Sequence, residues 1–320
     1  MTRIWLNHWF STAYNIINLI KNEEMDFYII VSNENENAVY KSVCDEWYVE
    51  PVLDDEAYIQ FCLDFCKDHK VDVFMPRRGM VAISRAKGKF LDIGVKVMVE
   101  DYEVMQVLND KALAYEELQK EKIGYIPEYF IVSNVKDFSE AYEKLIKTYD
   151  KVCFKFVMDE GGKSYRLIDN SRKGYSALSK KQNSRMTYDD VIKALSEKES
   201  FSPIMIMPYL PDDEVSVDCL KTSTGIIMIP RIKNATRIEK IVYDEKIIDM
   251  CQAIYNKFDL QCPCNIQFKY LNNIPYFLEV NTRMSGGIQM SCLASGVNIP
   301  NIAVVLCQDL VQNKMRGSAS

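Results

Sequence analysis

The sequence predicts an α/β protein in three segments: a parallel α/β unit over residues 1–105 and two α+β units over 106–201 and 202–320. Three observations lead there. Short β-rich runs alternate with helical patterns through the first hundred residues. After Asp101 two helical patterns come first and strands follow. From about Ser202 strands succeed one another with a single long helical pattern between them. A chain of 320 residues is long enough for two or three such units.

The first segment reads R-I-W-L, a helix near 12–21, F-Y-I-I-V, a helix near 56–69, V-D-V-F-M-P, a further helix, then V-K-V-M-V. In the helix near 56–69, Ile59, Cys62, Leu63 and Cys66 recur at helical spacing and form one apolar stripe to lay on a sheet. The second segment carries Y-F-I-V, a helix near 137–149, and the strands K-V-C-F-K-F-V-M and S-Y-R-L-I-D. Asn170 to Ser184 is polar without apolar period and predicts a mobile loop, after which Thr187 and Asp190 open a helix as a capping box does. The third segment gives I-M-I-M-P-Y-L, E-V-S-V-D-C-L and G-I-I-M-I-P-R-I, a helix near 244–258, then N-I-Q-F-K-Y-L and P-Y-F-L-E-V-N-T-R.

Composition removes several function classes. A net charge of −6 and an isoelectric point near 5.3 argue against a nucleic-acid binder, which needs clustered Lys and Arg. No apolar run reaches 18 residues and the start lacks the form of a secretion signal, so no membrane segment and a cytoplasmic location are expected. Ten cysteines lie scattered in apolar segments, as buried thiols do. With His8 and His69 the only histidines, a His-rich metal centre or a Ser-His-Asp triad lacks material. Chemistry is expected to run on carboxylates, lysines and arginines, with or without a metal.

The stretch F-L-E-V-N-T-R-M-S-G-G, residues 277–287, puts Glu279, Asn281 and Arg283 on one strand face and Val280 and Thr282 on the other. Together with N-I-Q-F-K-Y-L it predicts a hairpin around Asn272 and Asn273. Centring the turn on Asn273 opposes Gln267 to Glu279 and Asn265 to Asn281. A two-residue turn opposes Gln267 to Leu278 and mixes polar with apolar faces, so pairing by face selects the first register. The resulting face is rich in oxygen donors with few carboxylates, which suits Mg²⁺ completed by nucleotide phosphates.

Two lysines are candidate phosphate partners. Lys155 sits within Phe154, Phe156, Val157 and Met158, where an ammonium loses hydration unless an anion meets it. The same residue also suits an edge strand from which it snorkels. D-E-G-G-K-S follows, with Gly161 and Gly162 able to turn backbone amides toward a phosphate. Lys111, in L-N-D-K-A-L-A-Y, stands where a helix begins and its dipole adds to the charge.

The order Asp110-Lys111, F-K-F with a glycine loop, P-Y-L-P-D-D-E-V-S-V-D, N-I-Q-F and L-E-V-N-T-R-M-S-G-G resembles the ATP-grasp superfamily, in particular the synthetase domains of carbamoyl-phosphate synthetase and related carboxylate–amine ligases. The resemblance runs from about residue 70 to 306 and implies a Rossmann-like N-terminal domain, a central lid subdomain and a C-terminal subdomain with the metal and phosphate site. It implies Lys111 and Lys155 on the ATP phosphates under a loop over 159–164, Glu214 on the ribose, and Met207, Pro208, Tyr209 and Leu210 around adenine. Gln267, Glu279 and Asn281 would be Mg²⁺ ligands, with Mn²⁺ as a substitute, and Lys155 and Arg283 would serve catalysis. Two departures stand out: Pro208 has no N–H to offer adenine, and Asp212 stands where the family often has glycine.

The activity so implied is an ATP-dependent ligase that makes an acyl phosphate from a small carboxylate and passes the acyl group to an amine or other nucleophile. Arg231, Lys233 and Arg237, with Ser285, Gly286 and Gly287, are candidate substrate contacts, and the apolar helices of the first segment allow a homodimer. A nucleotide-binding regulator without turnover is the alternative, against which stand intact Gln267, Glu279, Asn281 and Arg283. A dinucleotide oxidoreductase lacks the G-x-G-x-x-G it needs after an early strand.

Overall fold

The computed structural model describes residues 1–22, 25–158, 162–171, 184–233 and 239–317, the last nine by backbone alone. Gly161, Arg237 and most of the Asn170–Ser184 stretch lie outside the described residues. Contacts divide the chain into two compact units, one of Met1–Gln106, Val215–Gln267 and Val280–Ser320, the other of Val107–Glu214 and Phe268–Glu279.

The first unit opens with a parallel sheet in the order β3-β2-β1-β4-β5, built from β1 (Thr2–Asn7), β2 (Phe27–Asn33), β3 (Glu46–Val49), β4 (Val73–Met75) and β5 (Lys96–Val97). Alternation divides its side chains between two faces. Ile4, Leu6, Ile29, Val31 and Val73 pack with Ile16, Ile17 and Ile20 of the helix Ala13–Lys21 and with Ile299, Ala303 and Val304 of the helix Ile299–Gly317. Trp5, Ile30 and Phe74 face the helix Asp55–Asp68, whose Ile59, Cys62, Leu63 and Cys66 are buried as their spacing requires. Trp5 stacks between Phe74 and Phe65, with ring centroids 4.1 and 4.3 Å away. Strand β3 was not expected: E-W-Y-V is short and half-buried, and its pairing to β2 rather than its pattern makes it a strand.

The second unit holds a sheet in the order β6-β10-β7-β8-β9, from β6 (Phe130–Val132), β7 (Val152–Phe156), β8 (Arg166–Ile168), β9 (Arg185–Met186) and β10 (Ile204–Pro208). I-M-I-M-P, expected in the C-terminal segment, pairs by antiparallel ladders to β7 and β6 in this central sheet instead. All five residues of β10 are buried, so its continuous apolar run suits a strand flanked on both edges by β6 and β7. Thr187 caps the helix Tyr188–Leu195 by accepting from the Asp190 amide, as expected.

A third sheet runs β13-β12-β11-β14-β15, from β11 (Glu214–Thr222), β12 (Gly225–Lys233), β13 (Glu239–Ile241), β14 (Cys264–Leu271) and β15 (Ile274–Asn281). Between β14 and β15, Asn272 and Asn273 have φ of 53° and 62°. Positive φ at both positions is the two-residue I′ turn, so the register chosen by face pairing does not hold beside the turn. Phe268 and Phe277 meet edge to face at 6.2 Å instead. Among the described residues no single helix is long and apolar enough to cross a membrane.

Candidate active site

Burial along β15 changes phase. Pro275 and Phe277 are buried, but the next buried position is Val280, followed by Thr282 and Met284, which leaves Glu279, Asn281 and Arg283 half-buried on the other face. A three-residue interval in an alternating strand is the mark of one inserted residue, as in a β-bulge. The main chain agrees: the Tyr115 hydroxyl reaches the carbonyl oxygens of both Phe277 (3.1 Å) and Leu278 (3.2 Å), which point to opposite sides in a regular strand. The face expected to carry Glu279, Asn281 and Arg283 therefore begins only beyond this irregularity.

In the second unit the helix Lys111–Lys120 starts at Asp110, whose carboxylate accepts from the amides of Ala112 and Leu113. Lys111 and Tyr115 lie one turn apart on the same face. Tyr115 is fully buried, and burial first, then the Glu279 charge, pushes its hydroxyl well above the usual range. Lys111 is 6% exposed, with Nζ 3.7 Å from Glu279 Oε2 and 3.5 Å from the Val157 carbonyl. Lys155 lies on β7, the middle strand of its sheet, so the edge-strand account of this lysine fails. Its Nζ is 3.5 Å from the Leu278 carbonyl that also takes Tyr115. Two ammonium groups are thus gathered at one short stretch of β15 that carries a carboxylate.

Gly162 has φ +65°, the left-handed region that suits glycine, and Ser164 Oγ accepts from the Phe156 amide, returning the loop to the end of β7. Met207, Pro208 and Leu210 are buried, and Glu214 and Tyr209 are half-buried. The Tyr209 amide is already spent on the Lys151 carbonyl. Asp212, the second departure, accepts from the Asn272 amide and so holds the β14–β15 turn.

In the first unit Gln267 donates Nε2–H to Asn265 Oδ1 at 3.2 Å, and Asn281 Oδ1 accepts from Arg283 Nη2 at 3.1 Å. Asn265, expected on the exposed oxygen-rich face, is instead fully buried and bonded to Ser216, Val217 and Asp218. Among the described residues no three His, Cys, Asp or Glu side chains are gathered for a metal ion. A cation held in this unit by Gln267 and Asn281 would rest on side-chain amide oxygens and outside ligands. That donor set fits Mg²⁺, which keeps several waters or phosphate oxygens.

The substrate candidates divide. Arg231, expected at a solvated loop or on a substrate carboxylate, is 1% exposed on β12 and its guanidinium is taken internally. Nε donates to Ser291 Oγ, Nη1 pairs with Glu239 and Nη2 with Asp218, whose carboxylate also accepts from Ser291 at 2.6 Å. Gly287 makes room for it: a Cβ there would lie 2.5 Å from Arg231 Nη2. Gly286 is open, a Cβ meeting only Thr12 Cγ2 at 3.9 Å. Ser285 is buried and accepts from the Gly287 amide. Asp218, Glu239 and Ser291 were missed by sequence reasoning, and the D of E-V-S-V-D was the one available signal.

Residues 200–319 match the family model described as ATP-grasp in the biosynthetic pathway with Ter operon, and residues 11–98 match the PylC-like N-terminal domain. Solved structures share the fold, these two among them. The biotin carboxylase domain of Hydrogenobacter thermophilus 2-oxoglutarate carboxylase, solved as a dimer with MgADP, ADP and bicarbonate, aligns with a TM-score of 0.68 and 14% identity over 96% of this chain and 69% of that one. L-amino acid ligase from Bacillus licheniformis aligns with a TM-score of 0.67 and 11% identity over 95% and 73%. The C-terminal part of the chain, residues 200–319, thus carries an ATP-grasp family match, and the fold of the whole is that of these neighbours. In sequence it resembles the arginine-specific large chain of carbamoyl phosphate synthase from Geobacillus stearothermophilus, at 22% identity over 97% of this chain. It spans 29% of that relative's length.

Proposed function

We propose that the chain is an ATP- and Mg²⁺-dependent carboxylate–amine ligase. A substrate carboxylate oxygen bonds to the γ-phosphorus as the bond to the β-phosphate oxygen breaks, releasing ADP. An amine then forms a bond to the acyl carbon, the acyl–oxygen bond breaks, and phosphate and the amine's proton leave. One observation carries the reading: Lys111 and Lys155, on different elements, both bring Nζ to the Leu278–Glu279 stretch of β15. An ammonium withdrawn from water is costly unless anions meet it, and nucleotide phosphates are anions of the kind two lysines converging on one strand would hold.

In this reading Lys111 and Lys155 hold the phosphates, with Gly161 and Gly162 in the loop over them. Glu214 takes the ribose hydroxyls and the Met207–Leu210 carbonyls meet adenine. Glu279, Gln267 and Asn281 would hold Mg²⁺, which when bound neutralises phosphate charge, and Mn²⁺ would substitute. Arg283, steadied by Asn281, offsets charge on the transferring phosphoryl group. With Arg231 committed internally and Gly287 packed against it, Lys233, Ser285 and Gly286 remain the candidate substrate contacts among the described residues. The test is ADP release from a panel of small carboxylic acids crossed with amines, with and without Mg²⁺. Metal-dependent ADP release stimulated by one acid–amine pair is expected. ATP binding without stimulation by any pair would favour the regulator instead, and no ATP binding would end both readings.

A further inference from the structure

A side-chain amide is a ligand for a cation only through its oxygen, and Gln267 is half-buried with two chemically opposite ends. Its orientation is set three residues away in space. Asp218 is fully buried on β11 and accepts from Ser291, while Arg231 pairs with the same carboxylate oxygen at 3.4 Å. A carboxylate only accepts. Asn265 must therefore turn Nδ2 toward Asp218 Oδ1, at 2.9 Å, and the Val217 carbonyl, a second pure acceptor at 3.2 Å, enforces the same orientation. Asn265 Oδ1 then faces Gln267 and accepts from its Nε2 at 3.2 Å, with Ser216 Oγ beside the amide at 2.9 Å from Nδ2 and 3.1 Å from Oδ1. With its NH₂ drawn onto Asn265, Gln267 presents Oε1 outward.

We propose that Asp218 and Asn265 are positioning residues that fix the polarity of the Gln267 amide, so that its oxygen and not its NH₂ meets the cation of the nucleotide complex. The proposal rests on Gln267 as a metal ligand. It also accounts for Arg231 and Ser291, which hold the carboxylate at the head of the relay, and for a fully buried polar cluster of four residues in a sheet otherwise packed with Val, Cys and Ile. Buried polar chains of this kind persist when every member is satisfied, and outer partners of this sort set metal affinity.

The test is calorimetric ATP binding by the full chain across a Mg²⁺ titration, with Asn265→Leu introduced into the unaltered protein and into Gln267→Glu. Glutamate offers an oxygen whichever way it turns and needs no relay. Asn265→Leu is expected to raise the Mg²⁺ concentration at half-saturation by about tenfold or more with glutamine at position 267. In the Gln267→Glu protein the same change should have under about a twofold effect. An equal loss in both backgrounds makes Asn265 merely structural and overturns the relay. A Gln267→Ala protein with unchanged Mg²⁺ dependence overturns the metal role of Gln267 itself, and the proposal with it. Should Asn265→Leu not fold, the unaltered protein decides by NMR. The Gln267 side-chain NH₂ signals, identified by their loss in Gln267→Glu, should exchange slowly with water both with and without MgATP, and fast exchange in either state overturns the proposal.

Discussion

Gly287→Ala isolates one steric requirement of the buried arginine. A Cβ at 287 would lie 2.5 Å from Arg231 Nη2 and 2.7 Å from Cζ and Nη1, closer than carbon and nitrogen approach without bonding. Flexible side chains usually yield to such a contact. Arg231 is 1% exposed, however, and its guanidinium is held by Ser291, Asp218 and Glu239, so yielding means breaking buried ion pairs. Separating one partner of a buried pair costs about 3–5 kcal/mol, and partial adjustment should leave a loss of about 2–4 kcal/mol. Gly286→Ala is the control, since its Cβ meets only a methyl at 3.9 Å and should change stability by less than about 0.5 kcal/mol. Equilibrium urea unfolding of both variants measures the difference. Combining Gly287→Ala with Arg231→Met should recover part of the loss relative to the sum of the single changes, because the flexible thioether bends away from the new methyl. Equal stability of the two alanine variants, or strict additivity in the double variant, would refute the close-approach argument.

Three further outcomes follow from the same geometry. Lys155→Met should weaken ATP binding at least about tenfold in calorimetry while leaving the melting temperature unchanged or higher, because an apolar chain suits a central strand; a large fall in melting with ATP affinity kept would make Lys155 structural. Glu279→Gln should slow ADP release by about a hundredfold or more with little effect on folding, whereas Val280→Thr, buried on the opposite face, should lower stability and spare the activity of the folded fraction; similar behaviour of the two would contradict the alternation. Glu100 is 2% exposed, and burial raises its carboxyl from 4.5 to about 7 against the amides of Cys262 and Gln261 that donate to it. Folding thus favours its protonated form: this contribution is fully present below pH 4.5 and is lost as pH rises to about 7, on the order of 3 kcal/mol in all, so Glu100→Gln should flatten that part of a urea-stability profile against pH.

Much of this protein could be read from local pattern. The stripe of Ile59, Cys62, Leu63 and Cys66, the Thr187 cap and the Asn272-Asn273 turn depend on residues within about four positions of one another, where side-chain period and backbone preference act directly. The polar face of Glu279, Asn281 and Arg283 and the anomalous lysine in F-K-F were legible for the same reason. Other features depend on partners that packing alone brings together. Lys111 meets Glu279 from far along the chain, β10 joins a sheet whose other strands precede it, and one irregularity near Leu278 shifts which side chains of β15 share a face. Arg231 looked like a surface cation because its sequence neighbours are polar, yet Asp218, Glu239 and Ser291 surround it, the last 60 residues away. Hydrogen-bond polarity is the extreme case: Asn265 and Gln267 are symmetrical in outline, and their oxygens take a direction only when an acceptor-only carboxylate stands at one end of the row.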